Sequence, residues 1–140
     1  MMENITLKEV EFIAFTIAKE RLSFDEPIPD FSTRLPNALE SCIAMPFMKF
    51  NGKYLYGGLV ARASVFFYLM IKNHPFQNGN KRIAITALLV FLYKNNKWIA
   101  ADTQSLYNFT VWVAQSPAEL KDQVVDGIEK YIETHLVNLK

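Results

Sequence analysis

Apolar residues recur at helical spacing along most of the chain, and this pattern predicts an all-α bundle of about six helices. The predicted helices are Thr6 to Glu20, Arg34–Met45, Leu59–Asn73, a run that begins near Asn80 and is ended by Asn95-Asn96, a run opening at Asp102 or Thr103, and a last run from Ser116–Glu119 to near Leu139. Thr6 and Glu9 form a capping box at the first helix, and Pro46 ends the second. The third and fourth runs are apolar nearly all the way round, so we expect them at the centre.

One stretch, Phe47–Tyr56, departs from this helical pattern. It consists of two short runs rich in aromatic residues on either side of Asn51-Gly52. Asn-Gly is the dipeptide that best fits a two-residue hairpin turn, so the stretch predicts one small β-hairpin. An ordinary surface connection with an Asn-Gly turn is the alternative interpretation.

Composition limits the class of protein. The chain has 140 residues, of which 51% are hydrophobic, and its formal net charge is +1. This size predicts one domain, residues 1–140, and the hydrophobic content excludes a disordered chain. A charge near zero gives no global field for direct nucleic-acid binding. We expect a cytoplasmic protein without membrane contact, because no signal-peptide pattern and no uncharged run of spanning length is present.

The same pattern predicts the burial or solvent exposure of four further side chains and one loop. Arg62, the one charge in the first half of the third helix, is expected at the helix edge with its guanidinium in water. Cys42 is expected to be an inert core thiol, Trp112 to face inward, and His135 to be solvated. Residues 22–31, with two prolines and three acids, are expected to form a solvated loop.

A polar sequence string between the two most apolar helices contains the candidate catalytic and ligand-binding residues. It reads His-Pro-Phe-Gln-Asn-Gly-Asn-Lys-Arg and covers His74 to Arg82. Gly79 lets backbone N–H groups approach a ligand, and the helix that begins near Asn80 directs the positive end of its dipole there. A phosphate bound at this end would explain cations in the first turn. The candidate phosphate-binding residues are Asn78, Gly79, Asn80, Lys81 and Arg82.

His74, at the other end of the string, could accept a proton from an attacking hydroxyl group. The string therefore predicts a general base beside a phosphate cradle. The alternative is a basic helical turn that faces solvent, with His74 capping the preceding helix.

The string resembles the signature of the Fic/Doc superfamily, roughly His-x-Phe-x-(Asp/Glu)-Gly-Asn-(Gly/Lys)-Arg, and in particular its Doc (death-on-curing) branch. Lys81 stands where nucleotidyl-transferring Fic enzymes usually have Gly, and Ile85 stands where they usually carry a second Arg. The resemblance implies a Fic/Doc-like bundle in which Phe76 anchors the motif. It also implies that the hairpin is a flap that docks a target segment as an added strand. The flap residues are Phe50, Asn51, Gly52, Lys53 and Tyr54.

The Doc resemblance implies a toxin of a toxin–antitoxin system. Such a protein transfers the γ-phosphate of ATP, with Mg²⁺, to a Thr or Ser hydroxyl of a protein target. The precedent is elongation factor Tu, whose modification stops translation. A separate small antitoxin is then expected as a partner. The alternative within the superfamily is transfer of AMP to a protein.

Asn78 departs from the family pattern, because it occupies the position of the acidic residue that binds Mg²⁺. An amide oxygen is neutral and is a weaker magnesium ligand than a carboxylate. The sequence is compatible with three consequences. ATP phosphates could hold the metal, with slow turnover, or the protein could be a nucleotide- or antitoxin-binding module without catalysis. Alternatively, Asn78-Gly79 could be partly deamidated to an acid.

Overall fold

The computed structural model describes residues 2–17 and 30–139, and in these ranges it contains six α-helices, three short 3-10 helices and two antiparallel strand pairs. The helices are α1 (Leu7–Glu9, continued by a π-helical segment Val10–Phe15), α2 (Pro36–Ala44), α3 (Gly58–Lys72), α4 (Asn80–Lys94), α5 (Thr103–Gln115) and α6 (Lys121–His135). The strands are β1 (Lys49–Phe50), β2 (Lys53–Tyr54), β3 (Lys97–Ile99) and β4 (Leu136–Asn138). The predicted all-α class with a small hairpin is confirmed. None of these helices is long and apolar enough to span a membrane.

Helices α3 and α4 form the centre of the molecule, as predicted. Every residue of α3 from Arg62 to Ile71 is buried, and α4 is buried from Arg82 to Leu88. The Phe66 ring of α3 meets the Phe91 ring of α4 edge to face, with centroids 5.7 Å apart. Full burial of each such side chain stabilises the fold by roughly 1.5–3 kcal/mol. The segment that joins these helices is therefore held at both ends by the core.

The capping box predicted at the first helix is present. Glu9 N–H donates to Thr6 Oγ1 (3.1 Å), and Thr6 N–H donates to Glu9 Oε1 (2.8 Å). Lys94 at the end of α4 also donates to Glu9 Oε1, at 2.7 Å, which fastens α1 to α4. The predicted end of this helix at Glu20 and the acidic loop as far as residue 29 lie outside the described residues.

The last helix is shorter than predicted. Its α-helical part begins at Lys121, directly after a 3-10 turn at Ala118–Leu120, and Ser116 Oγ donates to Val113 O (2.6 Å) instead of capping the next helix. It ends at His135, and the residues expected to form its last turn are strand β4, which pairs with β3 in the register Ile99↔Leu136. The second strand pair was not predicted, since Leu136 and Leu139 also fit the helical repeat.

Two aromatic predictions for the last helices are wrong. Trp112 is 50% exposed instead of facing the core, and its ring stacks on Phe109 with centroids 5.5 Å apart. His135 is partly buried rather than solvated, because its ring packs on Tyr131 at 4.3 Å and its Nδ1 lies 2.8 Å from Tyr131 O. Exposed stacking gives both rings a partner on the surface of the bundle.

Candidate active site

The motif loop (His74–Gly79) starts at a strained residue. Asn73 caps α3, and His74 follows it with φ 46°, in the left-handed region that β-carbons disfavour by about 1 kcal/mol or more. The imidazole is exposed. Strain at a non-glycine residue persists only where the surrounding structure enforces it, and it is concentrated at functional sites. The fold therefore turns the chain sharply at the candidate base and leaves its side chain accessible.

The motif loop ends at Gly79, which is buried and also left-handed, with φ 74°. Gly79 is the N-cap of α4, a position that here supplies no side-chain hydrogen bond to the first turn. The first backbone N–H groups of a helix have no partners within the helix, and the dipole is positive at that end. The start of α4 thus has backbone donors that an anion could accept from, next to Gly79.

Asn80 braces the motif loop with its side chain. Its Nδ2 donates to Phe76 O (2.8 Å), and its Oδ1 accepts from Phe76 N–H (2.9 Å). The sequence placed Asn80 among the phosphate-binding residues. In the structure its amide is used within the loop, so its backbone N–H in the first turn of α4 is the group left to meet a phosphate.

Phe76 and Pro75 fix the middle of the motif loop to the rest of the fold. Phe76 is 3% exposed, and its ring lies 5.8 Å from that of Phe31. Pro75 is buried, and its carbonyl accepts a hydrogen bond from Leu35 N–H at 2.8 Å, just before α2. Contacts from both the core and the start of α2 therefore hold the loop in one conformation.

The first turn of α4 carries the two candidate phosphate-binding cations. Arg82 is 4% exposed, and Lys81 is partly buried. A buried guanidinium near a helix N-terminus places full positive charge beside the positive end of the dipole. That combination is suited to a bound anion, for which Arg provides a bidentate contact and Lys a point charge.

Asn78 is exposed at the tip of the motif loop, where a ligand could reach it. The described ranges contain no group of three or more His, Cys, Asp and Glu side chains that could hold a metal ion. Within the motif loop, Asn78 offers a metal ion a neutral amide oxygen, which is a weaker magnesium ligand than a carboxylate.

Cys42 is the inert core thiol that the sequence predicted. It is fully buried on α2, and burial raises the pKa of its thiol to about 12, against a smaller opposing effect of a hydrogen bond with Asn73. A thiol with this pKa is not a nucleophile near neutral pH. Its contact with Asn73 instead supports the end of α3, directly before His74.

The predicted hairpin forms next to α3. Lys49 pairs with Tyr54 and Phe50 with Lys53, while Asn51 (φ 52°) and Gly52 (φ 77°) both have the positive φ of a type I′ turn. All the strand residues are exposed, Phe50 by 68%. The strands pair only with each other among the described residues, so each has an outer edge.

Arg62 does not lie where the sequence predicted. It is only 7% exposed, and its guanidinium lies beneath the hairpin, 4.0 Å from the Tyr54 ring centroid and 4.8 Å from that of Phe47. Its Nε donates to Tyr56 O at 2.8 Å. The prediction of an edge position with the head group in water is therefore wrong. The aromatic residues at the base of the hairpin were the available signal, because ring faces can cover a cation.

A comparison with protein-family models decides the family. The model described as the Fic/DOC family matches residues 5–92, which is more than half of the chain. The chain belongs to the Fic/DOC family. No curated protein and no solved structure gave a match. Fic/DOC proteins are transferases that move a nucleotide or phosphate group onto proteins, and the matched range includes the hairpin, the motif loop and most of α4.

Proposed function

We propose that this Fic/DOC protein transfers the γ-phosphate of ATP to a Ser or Thr hydroxyl of a protein, as Doc toxins do. One observation carries the proposal. A single short loop joins an exposed, strained His74 at the end of α3 to the uncapped, glycine-led start of α4, where Lys81 and Arg82 lie. A base and an anion site separated by one braced loop are the two parts that phosphoryl transfer needs.

In the proposed reaction, neutral His74 accepts the proton of the target hydroxyl while the hydroxyl oxygen attacks the γ-phosphorus. The new oxygen–phosphorus bond forms as the bond between the γ-phosphorus and the β,γ-bridging oxygen breaks, and ADP leaves. The backbone N–H groups of α4 and the side chains of Lys81 and Arg82 neutralise charge on the phosphates. Positioning and electrostatic stabilisation provide most of the acceleration in this class of reaction.

Magnesium fits this site only weakly, because Asn78 supplies a neutral oxygen where a carboxylate would be the preferred ligand. We propose that Mg²⁺ is held chiefly by the ATP phosphates, with the Asn78 amide as an auxiliary ligand. Turnover is then expected to be slow, and Asn78→Asp is expected to accelerate it.

The environment of Ile85 favours phosphate transfer over nucleotide transfer. Ile85 is 1% exposed and lines an apolar cavity together with Ile99 and Leu106. Nucleotidyl-transferring relatives usually carry a second Arg at this position, whereas the buried aliphatic side chain of Ile85 offers no cation to a phosphate. AMP transfer is therefore the second candidate within the family.

We propose that the hairpin is the flap that docks the protein target. Its strands are exposed and have outer edges to which an extended segment can add by backbone hydrogen bonds. Lys49 and Lys53 favour an acidic segment, and exposed Phe50 offers it an apolar contact. The proposed target is elongation factor Tu or another translation protein in the cytoplasm, and a separate small antitoxin is the proposed inhibitor.

The deciding experiment combines purified protein, Mg²⁺, elongation factor Tu and ATP that is labelled at either the γ- or the α-phosphate. Label on the target from γ only, lost in His74→Ala, is the expected result. Label from α would instead assign the protein to the nucleotidyl transferases.

Asn78, which offers a neutral oxygen in place of a carboxylate, favours a third candidate, a nucleotide- or antitoxin-binding module without catalysis. This candidate predicts that neither label reaches the target and that Asn78→Asp restores transfer. Rapid transfer by the unmodified chain would exclude it.

A further inference from the structure

Arg62 is buried, and the groups that contact its guanidinium come from outside its own helix, α3. A guanidinium removed from water costs free energy unless other groups replace the lost hydration. In the described part of the chain, no carboxylate forms an ion pair with Arg62. Its contacts are the Tyr56 carbonyl, the faces of Tyr54 and Phe47, and the sulfur of Met2, to which Nη1 donates at 3.2 Å.

Three of these four contacts come from the hairpin and its two ends. Phe47 precedes β1, Tyr54 is in β2, and Tyr56 follows β2. One side chain of α3 therefore holds the beginning and the end of the flap together. Phe47 itself packs against the core, 6.1 Å from the ring of Phe91, so the contact continues into α4.

Besides Arg62, the flap meets the bundle through the ring of Tyr54, which lies edge to face with that of Phe47 at a centroid distance of 6.4 Å. It contains two residue pairs, and all four strand residues are exposed. A two-stranded hairpin of this kind is at best marginally stable in water. The position of the flap thus depends on tertiary contacts, among which those of Arg62 join a rigid, buried helix to both of its ends.

We propose that Arg62 is a positioning residue that fixes the flap for docking of the protein target. The planar guanidinium can lie against a ring face while its Nε–H binds a carbonyl, which the single ammonium of Lys cannot reproduce. This inference rests on the proposed role of the flap in target binding. It predicts that changes at Arg62 alter the order of the flap and the affinity for the target, and leave the affinity for ATP unchanged.

Amide hydrogen exchange of the protein alone tests the positioning role, with two variants. Arg62→Lys keeps the charge but loses the planar group, and Arg62→Met keeps the length but loses the charge. In both, we expect the amide of Leu55, which donates to Met48 O at 3.0 Å, and the amides of the flap to exchange about tenfold faster or more. Amides in the middle of α3, such as that of Phe67, should keep their exchange rates.

Arg34→Lys is the matched control. Arg34 also lies over a ring, 4.4 Å from the Phe31 centroid, and also donates to a carbonyl, Phe31 O, at 3.3 Å, but it is outside the flap. Its substitution should leave flap exchange unchanged. Unchanged flap exchange in Arg62→Lys would overturn the proposal, as would equal acceleration in the flap and in α3. Arg62→Lys alone decides the matter if Arg62→Met does not fold.

A kinetic measurement then links this role to the proposed function. In both Arg62 variants, KM for the protein target should rise several-fold, while KM for ATP stays constant. An equal rise of both KM values would contradict a role in target docking. The exchange experiment uses neither ATP nor the protein target. It therefore tests whether Arg62 positions the flap even if the labelled-ATP experiment shows no transfer and contradicts the proposed function.

Discussion

The motif loop and the flap are held in place in contrasting ways. The motif loop is braced by backbone groups and by the core, through the paired hydrogen bonds of Asn80 with Phe76, the bond from Leu35 to Pro75, and the buried Phe76 ring. The flap is exposed along both strands and meets the bundle through a few side chains, chiefly the buried Arg62 beneath it and the ring of Phe47, which packs on Tyr54. The first arrangement suits chemistry, which requires reacting groups to be held within about 0.5 Å of the productive geometry. The second fixes an orientation and leaves the surface free for a partner.

The largest expected effect is on the chemistry at the motif loop. We expect His74→Ala to lower transfer by roughly 10²–10⁴-fold through loss of the general base, with ATP binding retained. His135→Ala is the matched control, because the chain has two histidines and the second lies on α6, stacked on Tyr131. A similar loss of transfer in both variants would contradict the assignment of the base to the motif loop.

The next largest expected effect is on stability, and it differs between a buried ring in the motif loop and an exposed ring in the flap. Phe76→Ala should lower the free energy of unfolding by about 3–5 kcal/mol, because it leaves a cavity behind the motif loop. Phe50→Ala on the flap should change it by less than about 0.5 kcal/mol, since that ring is 68% exposed. Urea titration of the two variants measures the difference in the free energy of unfolding. Equal decreases in that free energy would contradict the proposed difference between the motif loop and the flap.

A smaller effect is expected from the side-chain brace. Asn80→Ala removes both hydrogen bonds to the Phe76 backbone and should cost about 1–3 kcal/mol of stability. Transfer should fall as well, because the loop loses its fixed conformation. Asn108→Ala is the control, since Asn108 is exposed on α5 and accepts one bond from Gln104. Wild-type activity in Asn80→Ala would show that the core alone fixes the loop.

The smallest effect should be confined to the flap. Gly52→Ala places a β-carbon at φ 77° with nothing within 4 Å, so its cost of about 1 kcal/mol is backbone strain alone. We expect faster amide exchange in β1 and β2 and an unchanged melting temperature. Gly57→Ala, which also meets open space but has φ −95°, should leave exchange in the hairpin unaltered. A lower melting temperature in Gly52→Ala would mean that the flap unfolds together with the bundle.

Local sequence signals predicted the parts of the fold that local interactions build. Helix α4 begins at Asn80 as expected, since the preceding glycine allows the left-handed cap, and Asn51-Gly52 turns the chain as a type I′ hairpin. Cys42 was correctly predicted to be buried because it lies on the apolar face of α2. These features depend on residues close to one another in the chain.

Long-range contacts account for what the sequence did not reveal. The pairing of β3 with β4 joins residues 97–99 to residues 136–138, and the second strand also fits a helical repeat. Arg62 was expected in water because the ring faces that cover it come from another element. The side-chain bonds of Asn80 were missed because an Asn beside a glycine predicts ligand binding as readily as a loop brace.

The hydrogen bond between Leu35 and Pro75 has a consequence for folding kinetics. It joins residues 35 and 75, so the intervening chain must close into a loop before the bond can form. Loop closure costs entropy, and chains rich in such distant contacts fold more slowly than those with local ones. We therefore expect the motif loop to order late, after α2, the flap and α3 have come together. During synthesis, a nascent chain that lacks α4 also lacks the proposed phosphate site, so we expect no transfer before α4 has been made.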